Sequence, residues 1–177
     1  HQILGQLTYK YQHFMKRTIS ALAWIAIAIM ACAPATAQIG RRFPSERKVI
    51  NDPKTGVELI FLTSQSGTGD SKIYQTHNQW TSDGKWVIFR SDRVPGEAMA
   101  VHEESGDIVQ VTEGGFSGML CVARHSMHLY YMRPVQKARE KSKERSRERE
   151  MEVVEIDLER LFADSEADNL KKKKHYE

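Results

Sequence analysis

Cysteine is nearly missing from this chain. Two occur among 177 residues, Cys32 and Cys121. Cys32 lies in an apolar leader, so Cys121 is left alone and no internal disulfide can form. Its place in the apolar run 119–123 predicts a small buried hydrophobe rather than a nucleophile. An excess of one charge is missing too: 26 Lys and Arg face 23 Asp and Glu, a net of +3. The small basic surplus sits in a charged run and a tail, so no basic stripe for nucleic acid is expected. The seven histidines show no H-E-x-x-H spacing. No G-x-S-x-G elbow is present, so no serine nucleophile of that type is encoded in these residues.

Long hydrophobic runs are also scarce. The longest, 19–33, spans about 15 residues, against the ~20 that a bilayer-crossing helix needs. Met15 precedes it with Lys16 and Arg17, and Ala35-Thr36-Ala37 follows it. A basic n-region, an apolar h-region and an A-x-A site predict a helical signal peptide over 15–37, cleaved to leave Gln38 first. The only expected membrane encounter is during export, so the protein is expected to be secreted or periplasmic. A spanning helix and lipoprotein processing at Cys32 are the competing readings; Met30 makes a poor match for the second. Residues 1–14 then have no role in an exported protein and are expected to be an upstream extension. Residues 38–50 are polar and basic and are expected to form a lead-in segment.

The remaining sequence is punctuated as β structure. Asn51-Asp52-Pro53-Lys54-Thr55-Gly56 is a turn cluster before a strand at 57–63. Residues 64–71 are rich in Gly and Ser and read as a loop. A strand at 72–80, the Ser82-Asp83-Gly84-Lys85 turn and a strand at 86–90 make a hairpin, because Gly accepts positive φ and Asp bonds its own backbone. Residues 98–102 and 107–112 make a second hairpin around Glu104-Ser105-Gly106. The pattern then restarts with strands at 118–124 and 129–133 around His125-Ser126-Met127. Trp80 matches Val122, Val87 matches Leu129 and Phe89 matches Tyr131, all at one offset of about 42 residues.

That period fits four-stranded propeller blades. The fold class expected is therefore all-β: a partial β-propeller of about two four-stranded blades, over 51–115 and 116–161. The next strand is displaced onto 151–157 by an insertion, 136–150, in which Glu140 and Glu144 can pair with basic residues four positions on. The insertion is expected to be a solvated helix or a disordered loop. Residues 162–177, with Lys171 to Lys174, are expected to be a polar tail. A four-stranded sheet cannot bury both faces alone, and complete propellers use about four to eight blades. The chain is thus expected to be the N-terminal piece of a longer protein, with one face of the second blade uncovered and prone to aggregation.

Three stretches resemble one family. Asp52 to Gly56 with Leu62-Thr63, then His77-Asn78-Gln79-Trp80-Thr81-Ser82-Asp83-Gly84-Lys85 with Phe89-Arg90-Ser91-Asp92-Arg93, then Ser105-Gly106 with Val109-Gln110-Val111-Thr112, look like the oligogalacturonate lyases. These are seven-bladed propellers related to the Tol-associated periplasmic propellers. The resemblance covers 51–157, and its Ser-Asp-Gly-Lys and Ser-Asp-Arg parts recur across exported propellers generally. It implies a lyase that cleaves oligogalacturonate by β-elimination, with manganese or a similar divalent cation held by a His-rich cluster of later blades. None of those catalytic or metal residues can be matched here, so this piece alone is expected to be inactive and to bind no cation. Two other readings stay open: a non-enzymatic periplasmic interaction propeller, and the propeller that precedes a serine peptidase.

Four residues are candidates for binding substrate. His77 and Asn78 lie in the inner hairpin, where polar groups can reach a central channel. Arg90 and Arg93 suit bidentate pairing with uronate carboxylates. His102, His125 and His128 sit at or beside turns, where surface roles are expected.

Overall fold

The computed structural model describes residues 38–65, 67, 69–135 and 150–177. The expected extension, the signal peptide 15–37 and insertion residues 136–149, including Glu140 and Glu144, lie outside the described residues.

The first blade is built around β5 (Trp86–Arg90), β6 (Ala98–His102) and β7 (Ile108–Gln110), joined antiparallel. Most of their side chains are aromatic, β-branched or small, and most are buried. The turn before β5 follows from its residues. The Thr81 hydroxyl donates to Asp83 at 2.6 Å, the Lys85 N–H donates to the same carboxylate at 3.1 Å, and Gly84 takes φ of +73°. The expected inner strand at 72–80 is interrupted. β4 (Ser71–Lys72) pairs with Arg90 and Phe89, the chain leaves the ladder over 73–79, and Trp80 returns to bridge Val87. Asn78 is depleted in strands, and its side chain bonds the Trp80 backbone instead of leaving the segment to a ladder.

The segment at 38–50 is more than a lead-in. β1 (Arg42–Phe43) adds to the outer edge of β7, making a five-stranded sheet ordered β1-β7-β6-β5-β4. β2 (Lys48–Asn51) forms a separate two-stranded ribbon with β3 (Glu58–Phe61).

The second sheet holds three described strands rather than four: β8 (Ser117–Val122), β9 (His128–Pro134) and β10 (Met151–Asp157), ordered β10-β9-β8. β9 and β10 stay in register from Met151 opposite Pro134 to Asp157 opposite His128, and the Val135 N–H donates to Glu150 O at 2.9 Å. The insertion therefore enters and leaves through one hairpin rung. After β10 comes a helix, not a polar tail. α1 (Leu158–Glu166) is capped by Asp157, which accepts from Arg160 N at 3.0 Å. Leu158, Leu161, Phe162 and Ser165 are buried at i, i+3, i+4 and i+7. Phe162 stacks on Trp86 with centroids 4.0 Å apart. Tyr176 folds back under the helix and is 2% exposed.

The 42-residue repeat is visible in the pairing. Trp80 bridges Val87, and Val122 pairs with Leu129. Trp86, Ile88, Ala98 and Ala100 of the first blade pack against Leu120, Val122, Leu129, Tyr131, Val154 and Ile156 of the second in one core. Equivalent residues thus face the same rotational direction. The other face of the second blade carries Met119, Cys121, Met132 and Val153 and is exposed, with Val153 at 73%. Cys121 is on that face, contrary to the expected burial, because alternation along β8 puts it opposite in direction to Leu120 and Val122.

Candidate functional site

The inner edge of the two blades is where a propeller channel would run. β4 is the edge strand beside β5, and Arg90 at the end of β5 reaches the start of β8. His77 is half-buried. Its ring lies 5.2 Å from that of Tyr74, and Nδ1 is buried with no hydrogen-bond partner. Asn78 is occupied locally: its amide donates to Trp80 O at 2.6 Å and accepts from Trp80 N at 3.3 Å. That closes the excursion and leaves the side chain a structural part. Gln79 Nε2 is buried and also unpartnered.

The two arginines differ in kind. Arg90 reaches from β5 to the second blade, where Nη2 donates to Gly118 O at 3.0 Å and the guanidinium lies 5.7 Å from the Phe116 ring centroid. Its Nε is buried and has no partner. Arg93 is enclosed, its side chain only 4% exposed. It grips both oxygens of Glu46 at 2.7 Å and also holds Asp70, and it packs over Phe89. Burial raises each carboxyl, but the bonds from Arg93, with backbone N–H groups at Glu46 and Ser91 and Thr63 at Asp70, outweigh it; both fall below the usual carboxylate range. Arg93 thus has its charge matched by two carboxylates, and its role is to fasten the segment before β2 to the end of β5.

The remaining histidines do not converge. His102 Nδ1 accepts from Ser105 N at 3.3 Å and the ring meets the Trp86 edge. His128 lies 3.6 Å from Glu155. Among the described residues, no three His, Cys, Asp or Glu side chains come together to hold a metal ion.

Two of the clefts on the described surface lie near these residues. One of about 230 Å³ lies beside the inner edge and is lined by Asp70, Lys72, Gln79, Val87 and Phe89. The other, about 410 Å³, lies between the turns of the first blade and α1, with Arg42, Lys85, His102, Asp107, Glu159 and Glu166 around it. Two buried charge centres were not foreseen. Glu97 accepts from Gly114 N, Gly115 N and the Thr112 hydroxyl at 3.0, 2.8 and 2.7 Å. Arg133 pairs with Glu152 and Glu177, and those bonds, chiefly the one from Glu177, raise its pKa. The Glu113-Gly114-Gly115 stop was the only signal of the first in the sequence.

The sequence matches no protein-family model and no curated protein. Its backbone matches solved structures. An oligogalacturonate lyase in complex with manganese aligns with a TM-score of 0.52 at 18% identity. An oligogalacturonate lyase from Vibrio parahaemolyticus aligns with a TM-score of 0.51 at 19% identity. The fold resembles part of the propeller of these lyases. Each alignment covers 71% of this chain and 30% of the solved one, so the chain spans about 30% of the length of those lyases. The first of them is a manganese complex; the described residues here do not form a set that fits such an ion.

Proposed function

We propose that this chain is the opening part of an exported propeller that cleaves pectin-derived oligogalacturonate by β-elimination. The backbone match to two oligogalacturonate lyases carries this reading, and the Asp52-Pro53-Lys54-Thr55-Gly56 opening and the His77-Asn78 hairpin support it. In such an elimination a base removes the C5 proton beside the carboxylate and the bond at C4 breaks. The carboxylate must be neutralised for that proton to be acidic enough. Of the described residues, Arg90 and His77 are our candidates to meet a uronate carboxylate, Arg90 through its guanidinium; the acid, base and ion would come from later blades.

The test is the absorbance of the unsaturated uronate product. The 177-residue chain with oligogalacturonate and manganese should give no turnover above buffer, and the complete gene product should give turnover. A complete product that folds as a propeller and gives none would favour the non-enzymatic interaction role.

A further inference from the structure

Gln38 is exposed, and the chain just after it is not. Ile39 is 0% exposed and belongs to the main core. Its N–H donates to Glu113 Oε2 at 3.0 Å. Gly40 is held on both sides: its N–H donates to Gln110 O at 2.8 Å, and its carbonyl accepts from the buried Ser165 hydroxyl of α1 at 2.6 Å. The Arg41 N–H closes a turn onto Gln38 O at 3.1 Å. The Gln38 N–H donates to Gln110 Oε1 at 3.4 Å. Gln110 is fully buried, and its Nε2 donates to Thr112 O at 2.7 Å, which keeps the amide oxygen turned toward Gln38.

The Ala35-Thr36-Ala37 site ends at the bond before this anchored stretch. Cleavage there makes Gln38 the first residue and frees its α-amine. We propose that Gln38 is then a modification site, its α-amine closing on its own side chain to give pyroglutamate. The amine nitrogen attacks Cδ of the carboxamide, and a C–N bond forms. The bond from Cδ to Nε2 breaks, and ammonia leaves with the proton that the amine gives up. No oxidant, reductant or co-reactant is needed. The amine must be neutral to attack, and an α-amino group titrates near a pKa of about 8, so a usable share is neutral at physiological pH. The surroundings suit the product. Gln38 is exposed, so its carboxamide has room to fold back on the amine. The lactam keeps one N–H, and the buried, neutral Gln110 Oε1 accepts one. An open terminus would bring an ammonium with three donors and a charge to the same place, where Glu113 Oε2 is already taken by Ile39. The proposal rests on the export part of the proposed function.

Mass spectrometry of the complete gene product, recovered from an exporting bacterium, tests this. The mature chain should begin at residue 38 and lack the mass of one ammonia. It should resist stepwise N-terminal sequencing until a pyroglutamyl peptidase removes the first residue. Gln38→Ser should be cleaved at the same bond and sequence directly. A Gln38 terminus still open after days at neutral pH would overturn the proposal. So would a terminus at any other residue, or a Gln38→Ser chain that is blocked as well. An open Gln38 on a product with lyase turnover would remove the cyclisation and leave the pectin reading standing; a cyclised Gln38 without turnover would do the reverse.

Discussion

At the scale of single residues, Arg93 shows how a plausible binding group becomes structural. It stands three positions after Arg90, and the sequence groups the two because each guanidinium suits bidentate pairing with a carboxylate. The difference lies in Glu46 and Asp70, 47 and 23 residues away in sequence, and no local pattern shows such partners. Arg93→Gln should cost about 2–3 kcal/mol in thermal or denaturant melts, toward the low end for a broken buried pair because both carboxylates still touch water. The same cluster sets an acid limit. Carboxyls whose folded pKa lies below the unfolded value stabilise the fold above the unfolded value, and that stability goes as pH falls through the folded one. The melting temperature should hold through neutral pH and begin to fall near pH 4. Arg93→Gln should flatten that fall. Cys121, exposed on β8, should react with a thiol reagent in the native chain.

At the scale of elements, what could be read was what alternated between turn signals. β5, β6, β7, β9 and β10 have dense apolar residues and a turn on at least one side, and each was expected within a residue or two. β1 and β2 were hidden because Arg41, Arg42, Arg47 and Lys48 make the segment look solvated, although pairing needs only backbone groups. α1 was hidden because its apolar stripe begins at the end of β10, where Leu158 and Leu161 read as the close of a blade. The turns allow a sharper test. A Cβ on Gly106 would collide with the Ser45 hydroxyl and the Arg47 side chain, whereas one on Gly56 meets nothing within 4 Å. Gly56→Ala should therefore cost only the left-handed backbone penalty, about 1 kcal/mol. Gly106→Ala should cost clearly more, read in the same melts.

At the scale of the whole molecule, the mostly-β, propeller-like class was legible in the sequence, whereas a complete site is not encoded in these residues. A repeat of about 42 residues needs only the pattern of one chain. A site needs residues from several blades, and this chain spans 30% of the length of the lyases it matches. The exposed face of the second blade has a measurable effect. Met132→Lys and Val153→Lys, both on that exposed face, should raise the solubility of the 177-residue chain and suppress its self-association in light scattering, with little change in melting temperature. A soluble, monomeric, cooperatively melting parent would count against that view.

The rung between Val135 and Glu150 carries a practical consequence. Because Val135 and Glu150 share one rung of the hairpin, the ladder does not fix the length of the segment that joins them. Exchanging it for a short Asn-Gly turn, or for a foreign epitope, should leave the neighbouring ladder intact. That makes this spot a ready address for labels or affinity handles.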